Sequence, residues 1–109
     1  MIDKKEFDKI LFERKRIADE LHDNWDYGLE QYHEKILAII TGDLQEGISF
    51  LETEATADEI YWISEVFEDI AAKTHSQEFI AALHRIHDKM PEEVKKSIEI
   101  DIESAERSV

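Results

Sequence analysis

Three observations predict an all-α protein. Only three Gly and one Pro interrupt the 109 residues. Apolar residues recur at the 3.6-residue period of helices along most of the chain, and capping signals separate the periodic stretches. Together they predict about six short helices in antiparallel pairs. The architecture is a single-domain helical bundle, or a small helical-hairpin stack, over residues 1–109. A hydrophobic content of 42% with ten aromatics argues against disorder.

The first helix is expected to begin near Asp3. Phe7, Ile10, Leu11, Ile17, Ala18, Leu21 and Trp25 fall on one face at about 100° per residue, and Phe12 lies off it. Basic residues crowd the first half of this helix and acids the second. That order opposes the helix dipole, so helix stability does not explain it. A turn is expected around His22–Gly28. A second helix carries Leu29, Tyr32, His33, Ile36, Leu37 and Ile40 on one stripe. Thr41-Gly42 ends it, and Asp43 is placed to cap the next helix. That third helix, Leu44 to about Glu54, carries Leu44, Ile48 and Leu51. Gly47 within it either weakens the helix or lets another backbone come close.

Thr56-Ala57-Asp58-Glu59 reads as a capping box opening a fourth helix. Its apolar set, Ile60, Trp62, Ile63, Val66, Phe67, Ile70 and Ala71, covers about half the circumference, which marks the most buried helix of the fold. Thr74-His75-Ser76-Gln77 reads as a second capping box. The fifth helix then carries Phe79, Ile80, Leu83, Ile86, His87 and Met90. Pro91 suits the first position of a sixth helix, with Glu92 and Glu93 in its first turn and Val94, Ile98, Ile102 and Ala105 inward. The alternation Ile98-Glu99-Ile100-Asp101-Ile102 also fits a short strand, but nothing else in the chain could pair with it.

Charge is segregated. Residues 17–72 hold fifteen carboxylates against one lysine, Lys35, a net of −14 that equals the whole-chain total. Residues 1–16 are +2 and residues 73–109 are −2. Such a field argues against binding nucleic acid or an anionic membrane surface. It suits capture of a basic protein, since opposite potentials steer association. Two acid-aromatic clusters stand out: Asp23, Trp25, Asp26 and Tyr27, and the outer face of the fourth helix with Asp58, Tyr61, Glu65, Glu68 and Asp69, flanked by Trp62. The second face has no Lys or Arg of its own, so its like charges repel.

Chemical motifs are weak. Cysteine is absent, which removes disulfides, thiolate zinc sites and a Cys nucleophile. Glu30-x-x-His33 is half of a di-iron motif without a second copy, and the inner position of His33 suits a hydrogen-bonded core histidine. His84, His87 and Asp88 do not make a closed zinc site. Asp23-x-x-Asp26-x-Gly28 places Trp25 and Tyr27 where a calcium loop needs oxygen ligands. No phosphate loop and no nucleophile elbow occur. The reading is a non-enzyme with no metal and no cofactor. The start of the chain lacks the apolar run of a signal peptide and the longest apolar run is far short of a membrane span, so a cytoplasmic location is expected.

The segment from Asp58 to Ala71, with Tyr61-Trp62-Ile63-Ser64-Glu65-Val66-Phe67-Glu68-Asp69-Ile70 at its centre, continues through Ser76-Gln77-Glu78-Phe79-Ile80 to Pro91-Glu92-Glu93-Val94. It resembles the small all-helical immunity proteins of bacterial polymorphic toxin systems, including contact-dependent growth inhibition. Those carry a Tyr-Trp helix of this pattern, a Ser-x-Glu-Phe start to the next helix and a Pro start to the last. The resemblance covers residues 45–105 and leaves out the first helix. It implies a cytoplasmic protein that binds the C-terminal nuclease domain of a secreted toxin, of ribonuclease A-like type, and blocks its active site. The expected interface is then Asp23, Trp25, Asp26, Tyr27, Asp58, Tyr61, Trp62, Glu65, Glu68 and Asp69, on a protein that is monomeric when free. The competing readings are an acidic adaptor or regulator of a basic protein, and a helical-bundle metal protein or enzyme.

Overall fold

A computed structural model describes residues 2–22 and 24–109. The helices are α1 (Lys4–Leu21), α2 (Asp26–Gly42), α3 (Leu44–Thr53), α4 (Ala57–Ile63), α5 (Phe67–Thr74), α6 (Gln77–Lys89) and α7 (Glu92–Ser108). A 3₁₀ turn, Ser64–Val66, joins α4 to α5, so the expected fourth helix is present but broken in the middle. Ser64 supplies a local reason: its Oγ donates to the Tyr61 carbonyl at 2.7 Å, and a side chain competing for backbone acceptors favours a tighter turn. With α4 and α5 taken as one interrupted rod, the predicted six-helix, all-α fold is what the chain adopts. The Ile98–Ile102 alternation lies inside α7, and no strand occurs among the described residues.

One core draws on every helix. Ile60, Ile63, Val66, Phe67, Ile70 and Ala71 are all fully buried, as the wide stripe required. Phe7 meets Phe50 edge-on at 4.7 Å, and Phe67 meets Phe79 at 6.2 Å. Phe50 is a core residue outside the expected α3 stripe, because Gly47 turns that side of the helix inward. A Cβ on Gly47 would collide with the Ile40 carbonyl oxygen, so the α2 and α3 backbones approach as only glycine permits.

The caps are partly as expected. Asp3 accepts from the Lys5 and Glu6 amides, Asp43 from Glu46, and Thr56 and Glu59 form the full reciprocal box. The second box is replaced. Thr74 is the last residue of α5, His75 ends that helix at φ 51°, and Ser76 alone caps α6 through the Phe79 amide. Gly42 stays within α2, with Asp43 as the shared cap. Pro91 sits one position outside α7, its carbonyl accepting from Lys95 N at 2.9 Å. α1 stops at Leu21, with His22 at φ 49°, so its stripe ends before Trp25; Leu21 and Trp25 are 36% and 40% exposed. Gly28, expected in the turn, is the third residue of α2.

Candidate functional site

The basic residues of α1 have a tertiary explanation. Lys4 pairs with Glu59, Lys15 Nζ reaches Asp58 Oδ2 at 2.6 Å, and Arg14 grips Glu65 through Nε at 2.6 Å and Nη2 at 3.1 Å. Lys4 sits against the helix dipole in the first turn, Arg14 and Lys15 lie just past the middle of α1, and all three cross to α4 or the 3₁₀ turn. The α4 face, which lacks positive charge of its own, takes it from α1.

Arg14 is the centre of this junction. It is 7% exposed, and its guanidinium carbon lies 5.3 Å from the Trp62 ring centre and 5.9 Å from that of Tyr32. A buried guanidinium of this kind needs a carboxylate and aromatic faces around it. Tyr32 in turn donates its hydroxyl to the Trp62 carbonyl at 3.1 Å. Burial, and secondarily the Glu65 charge, pushes the Tyr32 phenol well above its ordinary range. Burial works against the charge on Glu65, but the His33 ring and the Arg14 guanidinium more than offset it and hold the carboxyl below its usual range. His33 Nε2 is shut off from solvent and lies 3.7 Å from Glu65 Oε1. That is an ion-pair contact outside hydrogen-bond range.

The residues of the second expected cluster spread over α4, the 3₁₀ turn and the start of α5. Tyr61 is 46% exposed, and its ring stands edge-on to Trp62 at 5.5 Å. Trp62 is half-buried beneath it. Asp58 is exposed while bridged to Lys15, and Glu65 is an internal staple more than a free surface charge. Glu68 and Asp69 are exposed at the start of α5, with Glu68 Oε1 3.5 Å from Ser108 Oγ. Across from them on α7, Asp101 is held above its usual range, first by burial and then by the charges of Glu65 and Glu68, against a lowering contact from Ser64.

The first cluster occupies a separate place. Asp23 lies outside the described residues. Asp26 is exposed in the first turn of α2. Trp25 and Tyr27 are 6.1 Å apart and border a groove of about 630 Å³ between α1 and α2, floored by Ile10, Ile17 and Tyr32. The Trp25 ring folds so closely over Gly28 that any Cβ there would strike it. Glu6 and Glu13, with Lys9 and Lys35, also line the groove, so this concave surface is balanced in charge, unlike the α4 face. Tyr32 separates the two clusters, lining the groove on one side and bonding Trp62 on the other. Phe12 and Ile100, 68% and 66% exposed, lie outside both.

The histidines are dispersed. His84 faces Glu106 at 3.3 Å and His87 faces Glu99 at 3.1 Å, while His33 points at Glu65. Among the described residues no group of three His, Asp or Glu converges to hold a metal ion, and no helix is long and apolar enough to cross a membrane. The site residues missed in the sequence were Arg14, Lys15 and Lys4; the signal that could have found them was the charge order of α1.

No protein-family model, curated protein or solved structure matches this chain.

Proposed function

We propose that the protein is an immunity-type inhibitor that binds a basic nuclease toxin domain and covers its active-site groove. The observation that carries this is Tyr61: a half-exposed aromatic, edge-on to Trp62, on a stretch that also exposes Asp58, Glu68 and Asp69, in a chain of net charge −14. A nuclease must present cations to RNA phosphates, and a carboxylate-rich face can take the place of those phosphates. The field raises the association rate, and a rigid aromatic at the centre slows dissociation. No catalytic step is assigned to this chain. Its reading is a cytoplasmic, non-enzymatic protein, monomeric when free because its net charge repels a second copy.

The test is protection. Cells expressing a nuclease domain encoded directly upstream of this chain should survive with the wild type and die with a Tyr61→Ala/Glu68→Lys/Asp69→Lys variant of unchanged helicity. Glu65 is left intact in that variant because it staples α1. Full protection by the variant would reject the α4 surface as the interface. An acidic adaptor, the competing reading, would bind a basic protein without protecting against any toxin.

A further inference from the structure

We propose that His33 is a proton-operated clamp joining α2 to the 3₁₀ turn that follows Tyr61 and Trp62. Its Nε2 is a buried ring nitrogen without a hydrogen-bond partner, aimed at the Glu65 carboxylate 3.7 Å away. A buried polar atom left in that state is costly, and a movement of about half an ångström would convert it into a charge-assisted bond. Only the protonated ring can supply both the N–H and the charge.

The surroundings favour that proton. α1 contributes Arg14, the 3₁₀ turn Glu65, and α5 Asp69. α7 contributes Asp101, which faces Glu65. The Tyr32 ring on α2 itself lies 5.5 Å away, with its phenol neutral. α3 packs on the far end of α2, around Ile40 and Gly47. With a neutral His33, one cation stands against Glu65, Asp69 and Asp101; protonation makes it two against three. The Glu65 carboxylate is the main influence raising the His33 pKa, and Asp69 adds to it, while burial and Arg14 oppose.

A group with a raised folded pKa stabilises most fully below its unfolded value, and the contribution is lost as pH rises through the folded value. The clamp is therefore closed below the ordinary histidine range and released as pH rises through the raised value of His33. Because Glu65 is shifted the other way, the clamp also fails in strong acid, when that carboxylate protonates.

The experiment is NMR titration of the histidine rings in the full chain, with urea unfolding of wild type and His33→Gln. His33 should titrate above the free-histidine value of about 6.5. Glu65→Gln should return it toward that value; if that variant does not fold, Asp69→Asn should lower it by a smaller step. The stability lost in His33→Gln should be present at about pH 5.5, below the free-histidine value, and absent at a pH well above the value at which the His33 ring titrates. A ring that titrates at or below the ordinary value, a titration indifferent to both substitutions, or a deficit equal at both pH values would overturn the clamp.

Discussion

Arg14 Nε donates to Glu65 Oε1 at 2.6 Å, so a guanidinium that is 7% exposed on α1 is held by a carboxylate on the turn between α4 and α5. The pair ties the N-terminal helix to the one irregular point of the most buried segment. Removing one partner of such a pair costs more than the pair contributes, because the other charge stays behind. Glu65→Ala, which leaves the guanidinium without this carboxylate, should lower the unfolding free energy by roughly 3 kcal/mol. Arg14→Met keeps the packing between Tyr32 and Trp62 and leaves Glu65 with His33 and solvent. It should cost less, about 1–2 kcal/mol. Urea denaturation at neutral pH orders the two, and equal or reversed losses would contradict the assignment of Arg14 as the more deeply buried charge.

The two glycines near the α2–α3 corner should respond oppositely to alanine. Gly47→Ala forces a methyl group into the Ile40 carbonyl, and strain of about 1–3 kcal/mol should outweigh the better helix propensity. Gly42 has open space where its Cβ would be. Gly42→Ala should raise stability by about 0.5 kcal/mol, a helix-end fraction of the interior gain. Thermal melts of the two variants check this directly.

Exposed apolar residues should matter little to the fold. Phe12→Ser and Ile100→Ser should each shift stability by no more than about 0.5 kcal/mol, since both side chains are about two-thirds exposed. Phe50→Ala, by contrast, removes the ring packed on Phe7 and should cost about 3–5 kcal/mol. A large loss from Phe12→Ser would show that α1 packs differently.

Acid should weaken the molecule through specific carboxylates. Glu52 is held below its usual range chiefly by Arg85, and Glu59 and Glu65 end below theirs because their partners outweigh burial. A lowered folded pKa gives stability that is present above the unfolded value and is lost as pH falls through the folded one. Stability should therefore drop below about pH 4.5. Glu52→Gln should flatten that drop little, because the pair with Arg85 is exposed on the arginine side and screened by solvent. Glu65→Gln should flatten it more.

What could be read from the sequence followed the range of each interaction. The stripes of Ile60 to Ala71 and of Phe79 to Ile86, the Thr56–Glu59 box and the close approach at Gly47 are local or periodic, and a sequence displays them. The 3₁₀ break at Ser64–Val66 was hidden, because Ser64 sits inside an unbroken apolar pattern. Phe50 was hidden because Gly47 has no side chain to announce the inward face. The α1 cations meet their acids 43–55 residues away. Along the chain they showed only as an order that a helix dipole does not explain. Tyr61 was expected at the surface and is there, whereas Glu65 was expected to face outward and is half enclosed by Arg14 and His33.

The borrowing of charge from α1 has an engineering consequence. The outer face of α4 cannot be lifted onto another scaffold as a cassette. Transplanted alone, Asp58, Glu59 and Glu65 would lose Lys15, Lys4 and Arg14 and become far more repulsive than they are here. A chimera that moves this surface onto another helical protein must therefore carry two segments at once, and moving either one alone would change both the surface charge and the stability.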